Sequence, residues 1–81
     1  MKVSIKFLGM QHIITKTDSL EMSVNGNSTV QDALEYLRQK YPELPLEEGM
    51  ILMTVNHEVA SRDRLLKDKD TISFLPLIAG G

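Results

Sequence analysis

The sequence contains no cysteine and no tryptophan, and aromatic residues make up only 5% of its 81 residues. The lack of cysteine excludes disulfides, thiolate metal sites and thiol nucleophiles. With few aromatic side chains available, the core must be built from Ile, Leu, Val and Met. The 42% hydrophobic content suffices for a single domain over residues 1–81. A body of this size leaves little room for a large enzyme cleft, and we expect no catalytic activity.

The chain also lacks an excess of basic residues and any long apolar run. Its net charge is −2 and its pI is about 5.6, whereas a nucleic-acid surface needs clustered Lys and Arg. No apolar stretch approaches the roughly 20 residues that span a bilayer. Residues 1–5 lead directly into a strand pattern without the apolar core of a signal peptide. We therefore expect a cytoplasmic protein with neither nucleic-acid nor membrane partners.

Hydrophobic periodicity predicts several strands. Apolar and polar residues alternate over residues 2–7 and again over 20–24, which is typical of two half-buried strands joined by a turn region at 9–19. Residues 51–55 form a nearly continuous apolar run, as in a strand that is covered on both sides or lies at the centre of the sheet. Asn56 and His57 then form a tight turn into a short strand, and the last strand begins at Thr71.

A helix is predicted over residues 29–40, because apolar residues recur there at helical spacing until Pro42 ends the element. Ser28 with Gln31 three residues later fits a capping box, and Thr29 is an alternative cap.

One helix packed on a mixed sheet of four or five strands is an α+β fold of the β-grasp, or ubiquitin-like, type. Its first and last strands would lie side by side and parallel at the centre.

Few polar residues have the spacing of a catalytic or metal site. His12 and His57 are the only histidines, and they lack the further ligands that a zinc site needs. Asp68 and Asp70 lie two residues apart in a polar segment, and we interpret them as turn residues. No glycine-rich phosphate loop and no serine–histidine–aspartate arrangement is present. We expect no metal and no bound cofactor, so any nucleotide would be held by a partner.

The most informative motif is the diglycine Gly80-Gly81, which follows an apolar strand. Glycine has no Cβ, so two glycines can pass through a channel too narrow for other residues and leave the terminal carboxylate unobstructed. From Pro76 to Gly81 the chain can extend by at most about 20 Å. Two glycines can also be a featureless terminus. The apolar strand before them favours a short flexible tail that enters another protein's active site.

Several apolar side chains have no obvious place in so small a core. They are Leu75, Pro76 and Leu77 in the last strand, Phe7 or Leu8 in the first, and Val59 in the short strand. Single exposed apolar residues are normal, but a contiguous patch beside the tail indicates a docking surface. We predict a partner interface that is formed by Phe7, Val59, Leu75 and Pro76.

These features resemble the β-grasp sulfur-carrier family, and most closely its molybdopterin synthase small subunits. The likeness rests on residues 3–7, 41–44 and 55–56, on Leu66, Asp68 and Asp70, and on Phe74-Leu75-Pro76 and the final diglycine. The family usually has a glycine between the two aspartates and often a second proline after the first. Lys69 and Leu77 stand at those positions here. The Ile78-Ala79-Gly80-Gly81 ending also resembles the thiamin thiazole sulfur carriers, which are generally shorter.

The resemblance implies a sulfur donor and not an enzyme. A partner resembling ubiquitin-activating enzymes would use ATP to adenylate the carboxylate of Gly81, with Ala79 and Gly80 as the tail. Sulfide from a sulfurtransferase would then leave a thiocarboxylate. The molybdopterin synthase large subunit would receive the tail and hold the pterin precursor. The length, the 41–50 connection and Phe74-Leu75-Pro76 favour this acceptor.

Three other uses of the chain stay open at this point. The thiocarboxylate could serve thiazole synthesis, as in the thiamin carriers. Gly81 could instead be joined to a target lysine, as in a ubiquitin-like protein modifier. A stand-alone β-grasp interaction module with incidental glycines is the third.

Overall fold

The computed structural model describes residues 1–47 and 49–76 of the chain. Within those ranges the elements are β1 (Lys2–Lys6), α1 (Met10–Thr15), β2 (Ser19–Ser23), α2 (Val30–Lys40), β3 (Ile51–Val55), β4 (Glu58–Val59) and β5 (Thr71–Pro76). The strands form one sheet in the order β2-β1-β5-β3-β4. β1 and β5 are parallel, and the other neighbours are antiparallel. The predicted α+β architecture and the parallel pairing of the first and last strands are confirmed.

The core lies between one face of the sheet and α2. Side chains of β1, α2, β3 and β5 supply its largest fully buried members: Val3, Ile5, Val30, Leu34, Leu37, Val55, Ile72 and Phe74. Leu44 and Leu46, in the connection after α2, are buried against the same cluster. Burial of each such side chain contributes about 1.5–3 kcal/mol, so the core can be built without tryptophan or cysteine.

The N-terminus of α2 is a capping box centred on Thr29. The Asp32 carboxylate accepts the Thr29 N–H at 2.8 Å, and the Thr29 hydroxyl accepts the Asp32 N–H at 3.4 Å. The prediction of Ser28 as the cap is wrong, and the alternative, Thr29, is confirmed. Ser28 has a different role, because its Oγ accepts the Asn25 N–H at 3.0 Å and closes the preceding turn.

The segment predicted as a turn region, residues 9–19, contains the helix α1. Gly9 enters it with φ +58°, and Lys16 ends it with φ +60° while its N–H bonds to the His12 carbonyl at 2.8 Å. A helix of this length is unstable in isolation. Gln11 and Thr15, one turn apart, are buried, so contacts with the rest of the fold stabilise it.

Over the described ranges, no helix is long and apolar enough to cross a membrane.

A tight turn at Asn56 and His57 joins β3 to β4 and contacts the start of β5. Asn56 and His57 have φ of +52° and +71°, as the two central residues of a two-residue hairpin require. The Asn56 amide also accepts the Thr71 N–H and donates to Asp70, both at 2.9 Å. The predicted turn at Asn56 and His57 is therefore confirmed, and the Asn56 side chain ties it to the start of β5.

The interpretation of Asp68 and Asp70 as turn residues is also confirmed. Asp68 accepts the Lys2 N–H at 2.9 Å, and the buried Asp70 accepts the Lys67 N–H at 2.8 Å. Between them Lys69 has φ +71°, and its N–H bonds to the Lys2 carbonyl at 2.7 Å. A glycine at this position would adopt such a backbone without steric cost, whereas lysine does so under strain.

Candidate partner-docking surface at the end of the last strand

The central strand β5 carries the chain to an exposed end at Pro76. Its pairing with β3 runs from Val55↔Ile72 to Ile51↔Pro76. Its parallel pairing with β1 stops earlier, at Lys6↔Ser73. The last residues of β5 therefore extend beyond β1. The predicted tail residues Ala79, Gly80 and Gly81 lie outside the described residues, as does Leu77.

A glutamine side chain replaces the next hydrogen bond of the β1–β5 pairing. The Ser4 N–H donates to the Asp70 carbonyl at 2.9 Å, and a parallel ladder advances two residues at each step. The Leu8 N–H would therefore meet the Phe74 carbonyl. Instead, Oε1 of Gln11 accepts the Leu8 N–H at 3.2 Å, and its Nε2 donates to the Phe74 carbonyl. Gln11 is 7% exposed, so this contact is internal.

The sheet face opposite α2 carries an apolar patch near the end of β5. Leu75 lies opposite Leu52, and Val59 lies opposite Thr54, so these side chains share that face. Leu8 and Leu75 line the same shallow pocket, of about 280 Å³. Val59 is 68% exposed and Leu8 is 46% exposed. We call Leu8, Leu52, Val59 and Leu75 the open-face patch.

Phe7 does not belong to this surface. It is only 5% exposed and lies in the core cluster. Val3, Ile5 and Phe7 share one face of β1 and its extension, and that face packs towards α2. The expectation that Phe7 is surplus to the core is therefore wrong. Leu8, which the sequence pattern offered as the alternative, is the exposed residue.

Pro76 lies at the end of β5 and is exposed. It lines an apolar groove of about 540 Å³, whose other walls are Pro45, residues of α1 and the turn that precedes α1. The structure thus brings Val59 and Leu75 together on one face. It places Pro76 at the strand end beside them and Phe7 in the core.

The remaining polar candidates lie apart from this surface or at its edge. His12 is on α1, with its Nε2 3.0 Å from Asp18 Oδ1, and both side chains are largely exposed. His57 and Lys6 border the open-face patch. In residues 1–47 and 49–76, no cluster of three or more His, Cys, Asp or Glu residues could hold a metal ion. The open-face patch itself offers a partner mainly apolar contact.

Sequence reasoning missed two residues of the site, Gln11 and Leu52. Apolar residues Met10, Ile13 and Ile14 have the spacing of a short helix, which could have indicated α1. Nothing in the sequence pattern shows that Gln11 reaches the Phe74 carbonyl, because the two residues are 63 positions apart.

The fold and the exposed end of its central strand define a ubiquitin-like β-grasp protein. The chain belongs to the ThiS family, whose model matches residues 5–81. It is 30% identical, over 82 aligned positions, to a molybdopterin synthase sulfur carrier subunit of Mycobacterium tuberculosis; the alignment covers 100% of this chain and 99% of the relative. The expected membership of the β-grasp sulfur carriers is confirmed.

Solved structures agree with this assignment. The small archaeal modifier protein 1 of Methanosarcina acetivorans has a TM-score of 0.78 at 28% identity, covering 99% of this chain and 96% of that chain. The complex of subunits 1 and 2 of molybdopterin-converting factor from Helicobacter pylori contains a chain that matches with a TM-score of 0.66 at 27% identity, with 100% of both chains covered.

Proposed function

We propose that this chain is a sulfur carrier of the molybdopterin synthase type, which donates sulfur from its C-terminus and does not itself catalyse. The observation that carries the proposal is the exposed end of β5 at Pro76, beside the open-face patch and five residues before Gly81. The kinship with the Mycobacterium tuberculosis sulfur carrier subunit supports it.

The reach of the tail fits delivery into a partner's active site. The five residues from 77 to 81 can extend by at most about 18 Å. β5 pairs with β1 over residues 71–73 and with β3 over residues 72–76, so the tail starts from a strand that is held in the sheet up to its last residue. Because the tail is short and starts from a strand of the sheet, a partner that binds the open-face patch restricts the positions that the Gly81 carboxylate can occupy.

The chemistry needs a partner at each step. An adenylating enzyme that resembles ubiquitin-activating enzymes would join the Gly81 carboxylate to AMP from ATP and release pyrophosphate. Hydrosulfide from a sulfurtransferase would then attack the acyl carbon, release AMP and a proton, and leave a thiocarboxylate. The ionised sulfur is the nucleophile that attacks the pterin precursor. The chain supplies no cysteine for any of these steps.

The open-face patch is the surface we assign to partner docking. It combines an apolar centre with Lys6 and His57 at its edge, as interfaces commonly do. The Helicobacter pylori structure is a complex of the two subunits of molybdopterin-converting factor, which supports a large subunit as the partner of this chain. The adenylating enzyme would use the same face in turn, because both partners must receive the same tail.

Pyrophosphate exchange tests the activation step. The full chain is incubated with a cognate adenylating enzyme, magnesium-ATP and labelled pyrophosphate, and we expect exchange that depends on the chain. Deletion of Gly81 and the Gly80→Val substitution should both abolish it, because a β-branched side chain does not fit a channel shaped for glycine. Gly26→Val is the matched control, since a Cβ at Gly26 meets no atom within 4 Å. Exchange that survives loss of Gly81 would refute the proposal.

Reconstitution tests the acceptor. The thiocarboxylated chain is mixed with a pterin-synthase large subunit and its precursor, and separately with a thiazole synthase. Dithiolene formation in the first mixture supports the pterin pathway. Sulfur transfer in the second mixture alone would assign the chain to thiazole synthesis.

Use as a protein modifier is the second candidate, and the likeness to a small archaeal modifier protein favours it. Both functions begin with adenylation of Gly81, so the activation assay does not separate them. A mass spectrum of the chain isolated from its own cells separates the two functions. A mass gain that corresponds to one oxygen replaced by sulfur supports the carrier, whereas adducts on lysines of other proteins support the modifier.

A further inference from the structure

We propose that Gln11 is a positioning residue that sets the direction in which the C-terminal tail leaves the fold. The inference rests on the amide that connects the Leu8 N–H to the Phe74 carbonyl. Its consequence for activation also rests on the proposed sulfur-carrier function. No contact between Gln11 and a reacting atom is implied.

The geometry explains why a side chain is needed at this point. After Leu8, the chain turns at Gly9, with φ +58°, and enters α1. β1 therefore stops following β5 before β5 ends at Pro76. The Leu8 N–H and the Phe74 carbonyl, which a continued ladder would pair directly, are instead connected through the Gln11 amide.

A primary amide is the side chain suited to this role. Its oxygen accepts from an N–H at one end, while its nitrogen donates to a carbonyl at the other. A carboxylate can accept from Leu8 but cannot donate to Phe74, and a thioether does neither well. Gln11 is 7% exposed, so removal of the amide leaves two backbone groups short of a partner in a poorly hydrated place.

Loss of the Gln11 amide is predicted to change the orientation of the tail and to leave the adenylation step itself unchanged. Without the amide, the end of β5 is paired through β3 alone among the described strands, so it can pivot about that edge. Only a fraction of molecules then presents the tail in the orientation that the adenylating enzyme accepts. Apparent affinity falls in proportion to that fraction, whereas turnover of the bound complex is unchanged.

The first test uses the isolated chain and no enzyme. Backbone ¹⁵N relaxation is measured for Ile72 and Leu75 in the natural chain and in Gln11→Met, which keeps the shape of the side chain and removes the amide. We expect a lower order parameter at Leu75 and an unchanged one at Ile72. Thr15→Val is the matched control, because Thr15 is also buried on α1 but its hydroxyl bonds only to nearby Thr17, donating to the carbonyl at 3.0 Å and accepting the N–H at 3.5 Å.

The second test is the kinetics of pyrophosphate exchange. Gln11→Met should raise KM for the chain about 3- to 10-fold, as expected for the loss of one or two internal hydrogen bonds, and leave kcat unchanged. Gln11→Glu should likewise raise KM and leave kcat unchanged, because it keeps the acceptor for the Leu8 N–H and loses the donor to the Phe74 carbonyl. It also serves if Gln11→Met does not fold.

The outcomes separate the two proposals. Unchanged Leu75 dynamics in both Gln11 variants, or equal effects in Thr15→Val, would overturn the positioning role. A lower kcat with unchanged KM would also contradict it. If the natural chain supports no exchange at all, the sulfur-carrier proposal fails, and the relaxation comparison still decides whether Gln11 orients the strand end.

Discussion

Phe7 contacts Tyr41 edge to face, with the ring centroids 5.7 Å apart and the ring planes at 82°. The contact joins the chain just after β1 to the residue that ends α2. Such pairs add about 0.5–1.5 kcal/mol to the effect of burial. Because the ring of Phe7 is committed to this internal contact, it stabilises the fold and is not presented to a partner.

Phe7→Ala should lower the free energy of unfolding by about 3–5 kcal/mol, since it leaves a cavity and removes the ring contact. Urea denaturation followed by circular dichroism measures the change. Leu8→Ala, at the exposed neighbouring position, should change it by less than about 1 kcal/mol. Equal effects of the two substitutions would contradict the assignment of faces.

Val59→Asp and Leu75→Glu should each weaken binding to a pterin-synthase large subunit by about 2 kcal/mol or more, as at a central interface position. Both variants should stay folded, because Val59 is 68% exposed and Leu75 is on the face opposite the core. Isothermal titration calorimetry measures the affinity. Leu65→Asp changes an equally apolar residue, 54% exposed, outside the open-face patch, and should bind normally. Unfolding of Leu75→Glu would show that the patch is wrongly placed.

Lys69→Gly should stabilise the chain by about 0.5–1 kcal/mol, because φ +71° strains a lysine and not a glycine. The expected result is a higher urea midpoint with an unchanged m-value. Lys67→Gly is the control, since Lys67 has no positive φ and glycine there only adds freedom to the unfolded chain. A stabilising Lys67→Gly, or a destabilising Lys69→Gly, would argue against strain at Lys69.

Thr29→Ala should cost about 1 kcal/mol, the usual effect of removing an N-terminal cap. The reason is the loss of the hydroxyl that accepts the Asp32 N–H. Thr29→Ser keeps that hydroxyl and should restore most of the stability. Thermal unfolding of the three proteins gives the comparison, and a Thr29→Ser variant as unstable as Thr29→Ala would show that the methyl group matters more than the cap.

Much of the fold could be predicted because its signals are local. Helical spacing over residues 29–40 and alternation in β1 are present in short windows, so the sequence predicts α2 and the first strand. The turn at Asn56 and His57 was found because asparagine favours positive φ. The choice between Ser28 and Thr29 as the cap failed, because both have a hydroxyl and only the path of the Asn25 turn separates them.

The sequence by itself determined the class of protein. The order of strands and helix predicts the β-grasp fold, and the diglycine after an apolar strand carries the resemblance to the sulfur-carrier family. Each of these features depends only on which residue types occur and in what order. None of them depends on which side chains are in contact in the folded protein.

Only the tertiary structure decided which apolar residues face a partner. Alternation places Phe7 on the same face as Val3 and Ile5, but it does not show that the core extends as far as Phe7. The packing of the chain decides that Phe7 is covered and that Leu8 is exposed. The same holds for Gln11, whose amide meets a carbonyl 63 residues away. Such a contact depends on where β1 leaves β5, and that is fixed by the packing of the whole chain.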